Sequence, residues 1–411
     1  MKFFYKAAVR SYAGVLKGLS PFNVKAAKWV SGRVGLANQL KDVDKSAKWI
    51  WFHCASLGEF EQGKPVMERF MVQNEDWSLL VTFFSPSGFE VRKNYALAKK
   101  VMYLPLENKG NITLFMNRFN PKIAVFVKYE FWYDYMERLF LMKTPLIFIS
   151  STFREKQVFF KWYGKWFLKR IGQVDHFFVQ DLYSKNLLIE NNVTQVDLAG
   201  DTRFDRVYDT LLASESFELL ESFKQGKKIL IFGSAWSKET DFAIQIINSL
   251  PSGWKVIYAP HEINSERITS FQNAISHSSG LFTEMQSQDV VETSVLILNT
   301  VGHLARCYKY ADLAIVGGGF TDGIHNILEP LVFGIPVAFG PIHKKFWEAD
   351  AAIESEVGFE ISDSETAVKF FNRFSSSNEL LSETSKKCTE FIKDRVGATK
   401  IIGDYLNKLI H

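Results

Sequence analysis

From Asp42 onward, short apolar runs alternate with segments of mixed polarity. Trp49, Ile50, Trp51 and Phe52 open the series as a bulky run that breaks at Ser56, Gly58 and Glu59. A segment of helical character follows. The runs AKWIWFHCAS, WSLLVTFFS, KKVMYLPL, KIAVFVKY, TPLIFISS, HFFVQD and QVDLAG read as strands, with helical stretches between several of them. Continuous apolar runs separated by helices are the mark of an open, mostly parallel sheet covered on both faces. The rhythm pauses over GDTRFDRVYDTLLASESFELLESFKQGKK and restarts with KILIFGSA, WKVIYAP, SVLILNT, LAIVGGG and IPVAFGP. The chain from about residue 365 reads as helical with scattered charge. The expected architecture is α/β, with two doubly wound, Rossmann-like domains facing a cleft. The expected divisions are a basic segment 1–40, a first domain 41–205, a linker 206–226 and a second domain 227–411 that includes the terminal helices.

Composition supports this division. A chain of 411 residues exceeds what one core organises. Hydrophobic residues at 47% beside 23% charged residues fit a folded globular protein, and a net charge of only +4 gives no nucleic-acid signal. Cys54, Cys307 and Cys388 lie far apart with no metal-ligand spacing, which predicts a reducing compartment and no structural zinc. No run of 18 or more apolar residues is present, so no spanning helix is expected. Before Asp42 the chain has no acidic residue but carries Lys2, Lys6, Arg10, Lys17, Lys25, Lys28 and Arg33 among aromatic residues. Such a segment suits the interface of an anionic membrane, or a helix docked on the first domain. In VFFKWYGKWFLKR, Lys161, Lys165 and Lys169 recur every four residues, which predicts one helix with a lysine face and an aromatic remainder.

Ligands of doubly wound domains sit beyond the carboxyl ends of the strands. The candidate chemistry falls there. Glu59 follows the first strand; Ser56 and Gly58 lie beside it. Ser85, Ser87 and Gly88 follow the second strand, and Lys128 and Glu130 follow KIAVFV. Carboxylates at separate strand ends can converge, one as general base and another tuning it. In the second domain, Gly318 and Gly319 form a tight turn after a strand, and Asn326, Ile327 and Leu328 open a helix whose amides suit a phosphate. Glu329 can accept from a ribose diol. Ser234 can cap a helix facing the cleft. Pro260 and His261 lie just past WKVIYA, and Val301, Gly302 and His303 open another helix after a strand. Each feature alone also reads as ordinary capping or turn chemistry. No DxD-like metal site is present, and metal independence is expected.

In order along residues 49 to 350, FHCASLGEFEQGKPVME, SPSG, YLPLE, YEFW, GDTRFD and GIHNILEP resemble motifs of the bacterial 3-deoxy-D-manno-octulosonic acid (Kdo) transferases. The resemblance implies a glycosyltransferase of the B type. It implies inverting transfer of Kdo from CMP-Kdo to a tetraacylated lipid A precursor in lipopolysaccharide biosynthesis, with no cofactor. By resemblance, Glu59 is the general base, and Glu130 and Arg203 assist the transition state. Pro260, His261, Val301 to His303 and Asn326 to Glu329 line the CMP-Kdo site. Ser56, Gly58, Ser85, Ser87, Gly88 and Lys128 fall on the acceptor side. The chain departs from the family at Arg203, where lysine is usual; at His261, near a usual arginine; at His303, where glutamate is common; and at SSTFRE. The lipid acceptor predicts a peripheral or monotopic protein on the cytoplasmic face of the inner membrane. The rival readings are a nucleotide-sugar epimerase on the same fold and a non-catalytic protein that binds lipid A or a sugar nucleotide.

Overall fold

The computed structural model describes residues 1–213 and 216–410. Ser214 and Glu215 of the expected linker, and the terminal His411, lie outside the described residues. The chain divides into two compact units. The first holds Met1–Asp205 and Val396–His411, and the second Arg206–Arg395.

The first unit is built on seven parallel strands: β1 (Lys48–Cys54), β2 (Trp77–Phe83), β3 (Lys100–Tyr103), β4 (Ile123–Val127), β5 (Leu146–Ser151), β6 (His176–Val179) and β7 (Val196–Leu198). Their order across the sheet is β3-β2-β1-β4-β5-β6-β7. The order reverses between β1 and β4, so their carboxyl ends flank the crevice where such sheets bind ligands. The apolar runs are continuous because both faces of the sheet are buried. Side chains alternate along a strand. Trp49 and Trp51 pack with Phe126, Phe148 and Phe177 on one face. Ile50 and Phe52 pack with Phe83, Val125, Ile147 and Phe178 on the other.

The second unit repeats the plan with β8 (Lys228–Ala235), β9 (Trp254–Pro260), β10 (Ser279–Leu281), β11 (Val295–Ile297), β12 (Leu313–Val316), β13 (Val337–Phe339) and β14 (Gly358–Glu360). The order is β10-β11-β9-β8-β12-β13-β14, with the reversal between β8 and β12. Twelve of these fourteen strands coincide with the expected runs. The other two, β10 and β14, are three-residue edge strands whose segments, SGL and GFE, are too short and mixed to show an apolar run.

Three local expectations are corrected. Residues 396–411 were expected in the second domain, yet the helix Ala398–Lys408 packs on the first. Ile402 and Leu406 enter the core that holds Phe52, Phe60 and Phe70. Asp205 caps this helix by accepting from the amides of Gly397 (2.6 Å) and Thr399 (3.0 Å). The expected linker 206–226 is largely helical, within Thr202–Leu212 and Glu218–Lys224. The lysine-faced helix over 158–170 is broken. Two 3-10 turns, Val158–Phe160 and Trp162–Gly164, precede the helix Lys165–Ile171. Lys161 between them is extended, and Gly164 lies so close to the Val158 carbonyl that a Cβ there would sit 1.9 Å from its oxygen.

The basic N-terminal segment forms three helices, Lys2–Leu19, Val24–Ser31 and Leu36–Gln39. Tyr5 inserts against Tyr133, Trp166 and Phe167, and its hydroxyl donates to the buried Glu107. Lys2 and Lys6 pair with Glu137 and Asp134. Arg33 donates to the carbonyls of Trp29 (3.0 Å), Phe84 (2.8 Å) and Leu104 (2.9 Å), with its guanidinium over the Trp29 ring at 4.1 Å. Phe3, Phe4, Phe22 and Val24 remain exposed.

Candidate functional site

In the first unit the site is the pair of loops after β1 and β4. Ser56 is the N-cap of the helix Leu57–Gln73, and Glu59 is its third residue. Glu59 reaches back in a capping box. Its Oε2 accepts from the Ser56 amide at 2.6 Å and from the Ser56 hydroxyl at 3.0 Å. Both bonds use one oxygen, and among the described residues Oε1 has no hydrogen-bond partner. Gly58, one residue earlier, has nothing within 4 Å of where a Cβ would stand. Glu59 itself is buried, while the space beside its neighbour Gly58 is open.

The residue after β4 is left-handed, Lys128 at φ 65°, and its carbonyl accepts from Ser151 Oγ at 2.6 Å. That reversal turns the chain so that Glu130 comes under the electrostatic influence of Glu59. Burial first, and the Glu59 charge second, push the Glu130 carboxyl up from 4.5 to about 7, against the opposing effects of Trp132 and Lys128. Two carboxyl groups with different environments thus stand near enough at the switch point of the sheet for the charge of one to act on the other.

The other expected residues are accounted for as follows. Ser85 caps the helix Pro86–Arg92 and shares a 3.0 Å hydrogen bond with Ser87. Gly88 fits where a Cβ would stand 2.3 Å from the Phe83 ring and 3.0 Å from the Ser56 backbone, so it serves the packing of that helix. Arg203 binds the buried Asp201 through Nε (2.9 Å) and a terminal nitrogen (2.6 Å). Its neighbour Thr202 donates to the Gln62 carbonyl at 2.6 Å, tying the GDTRFD turn to the helix that carries Glu59.

In the second unit the loops after β8 and β12 meet. Ser234 is left-handed at φ 53°, and a Cβ on Gly317 would stand 2.1 Å from its carbonyl oxygen. Gly318 has φ 93°, and a Cβ on Gly319 would stand 2.5 Å from the Gly340 nitrogen. Buried Glu239 locks this contact, accepting from the Trp236 amide (3.1 Å) and the Gly318 amide (3.0 Å). It occupies the same third helical position as Glu59, but both of its oxygens are engaged. His261 stacks on Trp236 at 4.0 Å, His325 lies 4.9 Å from His261, and Trp236 Nε1 donates to His325 at 3.3 Å. Burial, and then His261, lower His325 below the ordinary histidine value. A cavity of about 340 Å³ adjoins, lined among others by Trp236, Tyr258, Pro260 and His261.

Gly302 is left-handed at φ 90°, Val301 is exposed, and His303 stands at the N-cap position of the short helix Leu304–Cys307 without a side-chain capping bond. The helix expected to begin at Asn326 begins at Leu328 and ends at Val332. The Leu328 amide is already taken by Asn326 Oδ1 at 3.1 Å, while Asn326 Nδ2 donates to Glu329 at 3.0 Å. Ile327 is the N-cap of this helix and is buried. Burial raises the Glu329 carboxyl, and the Asn326 bond and the Arg206 charge oppose the rise.

Residues 28–206 match the family described as 3-Deoxy-D-manno-octulosonic-acid transferase (kdotransferase). They form a domain of the Kdo transferase family. The similarity continues beyond it. The 3-deoxy-D-manno-octulosonic acid transferase of Aquifex aeolicus (strain VF5) is 26% identical over 369 residues, covering 88% of this chain and 92% of that protein. The enzyme of the same name from Chlamydophila psittaci (strain ATCC VR-125 / 6BC) is 27% identical over 306 residues, 71% of this chain and 69% of that protein. Among solved structures, the UDP-GlcNAc 2-epimerase from Neisseria meningitidis aligns with TM-score 0.62 at 14% identity, over 88% of this chain and all of that one. A glycosyltransferase from Rickettsia africae ESF-5 aligns with TM-score 0.54 at 13% identity, over 89% of this chain and 99% of that one. These two likenesses show the two-domain fold alone.

Sequence reasoning passed over His53, Trp132, Glu239, Trp236 and His325. Glu239 had a signal, since WSKE after β8 repeats the spacing of SLGE after β1. The histidines had none, because a lone histidine in or beside an apolar run is usually structural.

Proposed function

We propose that this protein is an inverting glycosyltransferase that moves Kdo from CMP-Kdo to a tetraacylated lipid A precursor. The family relationship supports a Kdo glycosyltransferase role. The observation that carries the assignment of the base is the unshared Oε1 of Glu59, held at the end of β1 by bonds made only to Oε2. Glu59 Oε1 takes the proton of the acceptor hydroxyl as that oxygen bonds to the anomeric carbon of Kdo. The bond from that carbon to the CMP phosphate oxygen breaks on the opposite face, and the electron pair leaves with CMP. General-base assistance of this kind is worth about 100- to 10,000-fold. Glu130, whose carboxyl titrates near neutrality, tunes the charge beside the base. On the donor side, the Glu329 carboxylate is oriented by Asn326 for a ribose diol. The departing phosphate lies toward His261 and the left-handed turns at Gly302 and Gly318. The chemistry proceeds without a metal ion.

No helix among the described residues is long and apolar enough to cross a membrane. Phe3, Phe4, Phe22 and Trp162 are 78%, 69%, 88% and 84% exposed, on segments that also carry lysines. This is the surface proposed to contact an anionic membrane, where the lipid acceptor resides. Incubation with CMP-Kdo and the lipid A precursor, with and without chelator, followed by mass spectrometry of the lipid, tests the reading. A mass increase by whole Kdo units, unaffected by chelator, is the expected result. Vesicle sedimentation tests the surface: substituting Phe3, Phe4, Phe22 and Trp162 by serine together is expected to release the protein from anionic vesicles.

A further inference from the structure

Glu130 has to be held beside Glu59 by something, because it stands on a loop between β4 and the helix Tyr133–Met142. The contact that holds this loop is made by a residue inside β1. His53 is wholly buried one residue before the end of β1. Its Nε2 lies 2.8 Å from Trp132 Nε1, and its Nδ1 lies 2.9 Å from Thr82 Oγ1 on β2. An indole N–H can only donate. His53 Nε2 must therefore be the lone pair, and Nδ1 carries the proton and donates to Thr82. Thr82 Oγ1 also accepts from Trp51 Nε1 at 2.8 Å, so a continuous chain runs from the half-buried Trp132 through the buried His53 and Thr82 to Trp51. Burial, with the Arg33 charge adding to it, lowers His53 to about 3, and the ring stays neutral. Trp132 is the N-cap residue of the helix Tyr133–Met142, and its ring packs 4.7 Å from Phe84 after β2. Two residues before it comes Glu130; six residues after His53 comes Glu59.

We propose that His53 and Trp132 are positioning residues, whose hydrogen bond fixes the Glu130 loop to the strand that presents Glu59. The bond spans the switch point of the sheet, from β1 to the loop after β4. Because the histidine is a neutral acceptor clamped from both sides, the loop is held in one register at every pH where the protein is folded. This inference rests on the catalytic reading of Glu59 and Glu130 given above. Neither His53 nor Trp132 touches substrate in it.

The test combines Trp132→Phe, His53→Leu, His53→Gln and the double variant His53→Leu/Trp132→Phe. Gln offers an amide oxygen where His53 Nε2 stands and is the rescuing substitution. In the transfer assay, Trp132→Phe and His53→Leu are expected to lower kcat by about 10- to 100-fold, the scale of a small misplacement of a catalytic group. KM for both substrates stays within about twofold. His53→Gln recovers most of the rate, and the double variant is no slower than the slower single one. A second readout needs no activity. Carbodiimide labelling of Glu130, followed by mass spectrometry across pH, reports its titration. The groups facing it are Glu59, Trp132 and Lys128. Its midpoint near 7 is expected to fall toward the ordinary carboxylate value in His53→Leu, which frees the loop but keeps the Trp132 indole that lowers it, and to return in His53→Gln. A folded His53→Leu with unchanged kcat and unchanged labelling overturns the proposal. So does a double variant whose losses multiply. If labelling shifts as expected while no variant and no wild type transfers Kdo, the positioning stands and the assigned reaction fails.

Discussion

Glu107→Gln isolates one buried carboxyl and tests how the N-terminal helix is anchored. Glu107 is 9% exposed. It accepts from the Tyr5 hydroxyl of the helix Lys2–Leu19 and, at 2.9 Å, from the amide of Asp134. Burial raises its carboxyl from 4.5 to about 7, the Asp134 charge adds to the rise, and these bonds only partly oppose it. A folded-state value above the unfolded one means that the folded chain holds a proton which the unfolded chain releases. The associated stability is fully present below about 4.5 and is lost as pH rises through about 7. The span corresponds to about 3 kcal/mol. Glutamine keeps an oxygen for the Asp134 amide and an amide N–H for the Tyr5 oxygen, and it cannot ionise. Denaturant titrations of wild type and Glu107→Gln at pH 5, 6, 7 and 8 are the assay. The variant is expected to match wild type near pH 5 and to exceed it by up to about 3 kcal/mol at pH 8. Glu130 titrates in the same window, so the difference between the two proteins is the informative quantity. Parallel curves at all four pH values would refute the reasoning about Glu107.

Two other substitutions probe the surroundings. Gly58→Ala enters open space, so thermal stability is expected to hold or rise by a few tenths of a kcal/mol from helix propensity; the acceptor KM is expected to rise because the methyl group occupies the rim beside Glu59. An unchanged KM would remove Gly58 from the acceptor surface. Arg33→Ala strips three carbonyls of their donor and removes the stack on Trp29, which costs about 3 kcal/mol; limited proteolysis is expected to cut within residues 1–40 first.

The fold was legible because parallel strands buried on both faces leave an apolar signature that needs no tertiary knowledge. WIWF, KIAVFV and KILIF are of that kind, and the strands they mark became the centres of the two sheets. Edge strands such as Ser279–Leu281 carry too few residues for the signature. The broken segment 158–170 misled because its lysine spacing is helical, whereas the close approach of Gly164 to the Val158 carbonyl is a tertiary contact. The C-terminal helix was placed with its neighbours in sequence, yet Asp205, Arg69 and Asn74 draw it to the first unit, 190 or more residues away. In the site, glutamates after strand ends could be found by position. What holds them could not. The His53 to Trp132 bond joins residues 79 apart, and nothing local marks either as its partner. Arg33 shows the same limit. It counted as one more surface cation, and the structure uses it as a half-buried clamp.

The most direct test of the central claim compares wild type with a folded Glu59→Gln variant in Kdo transfer from CMP-Kdo to the tetraacylated lipid A precursor. Glutamine can still accept from Ser56, so the turn is kept while the base is lost. The account predicts product from wild type and a fall of about 100-fold or more in kcat for the variant. Transfer by Glu59→Gln at the wild-type rate would contradict it.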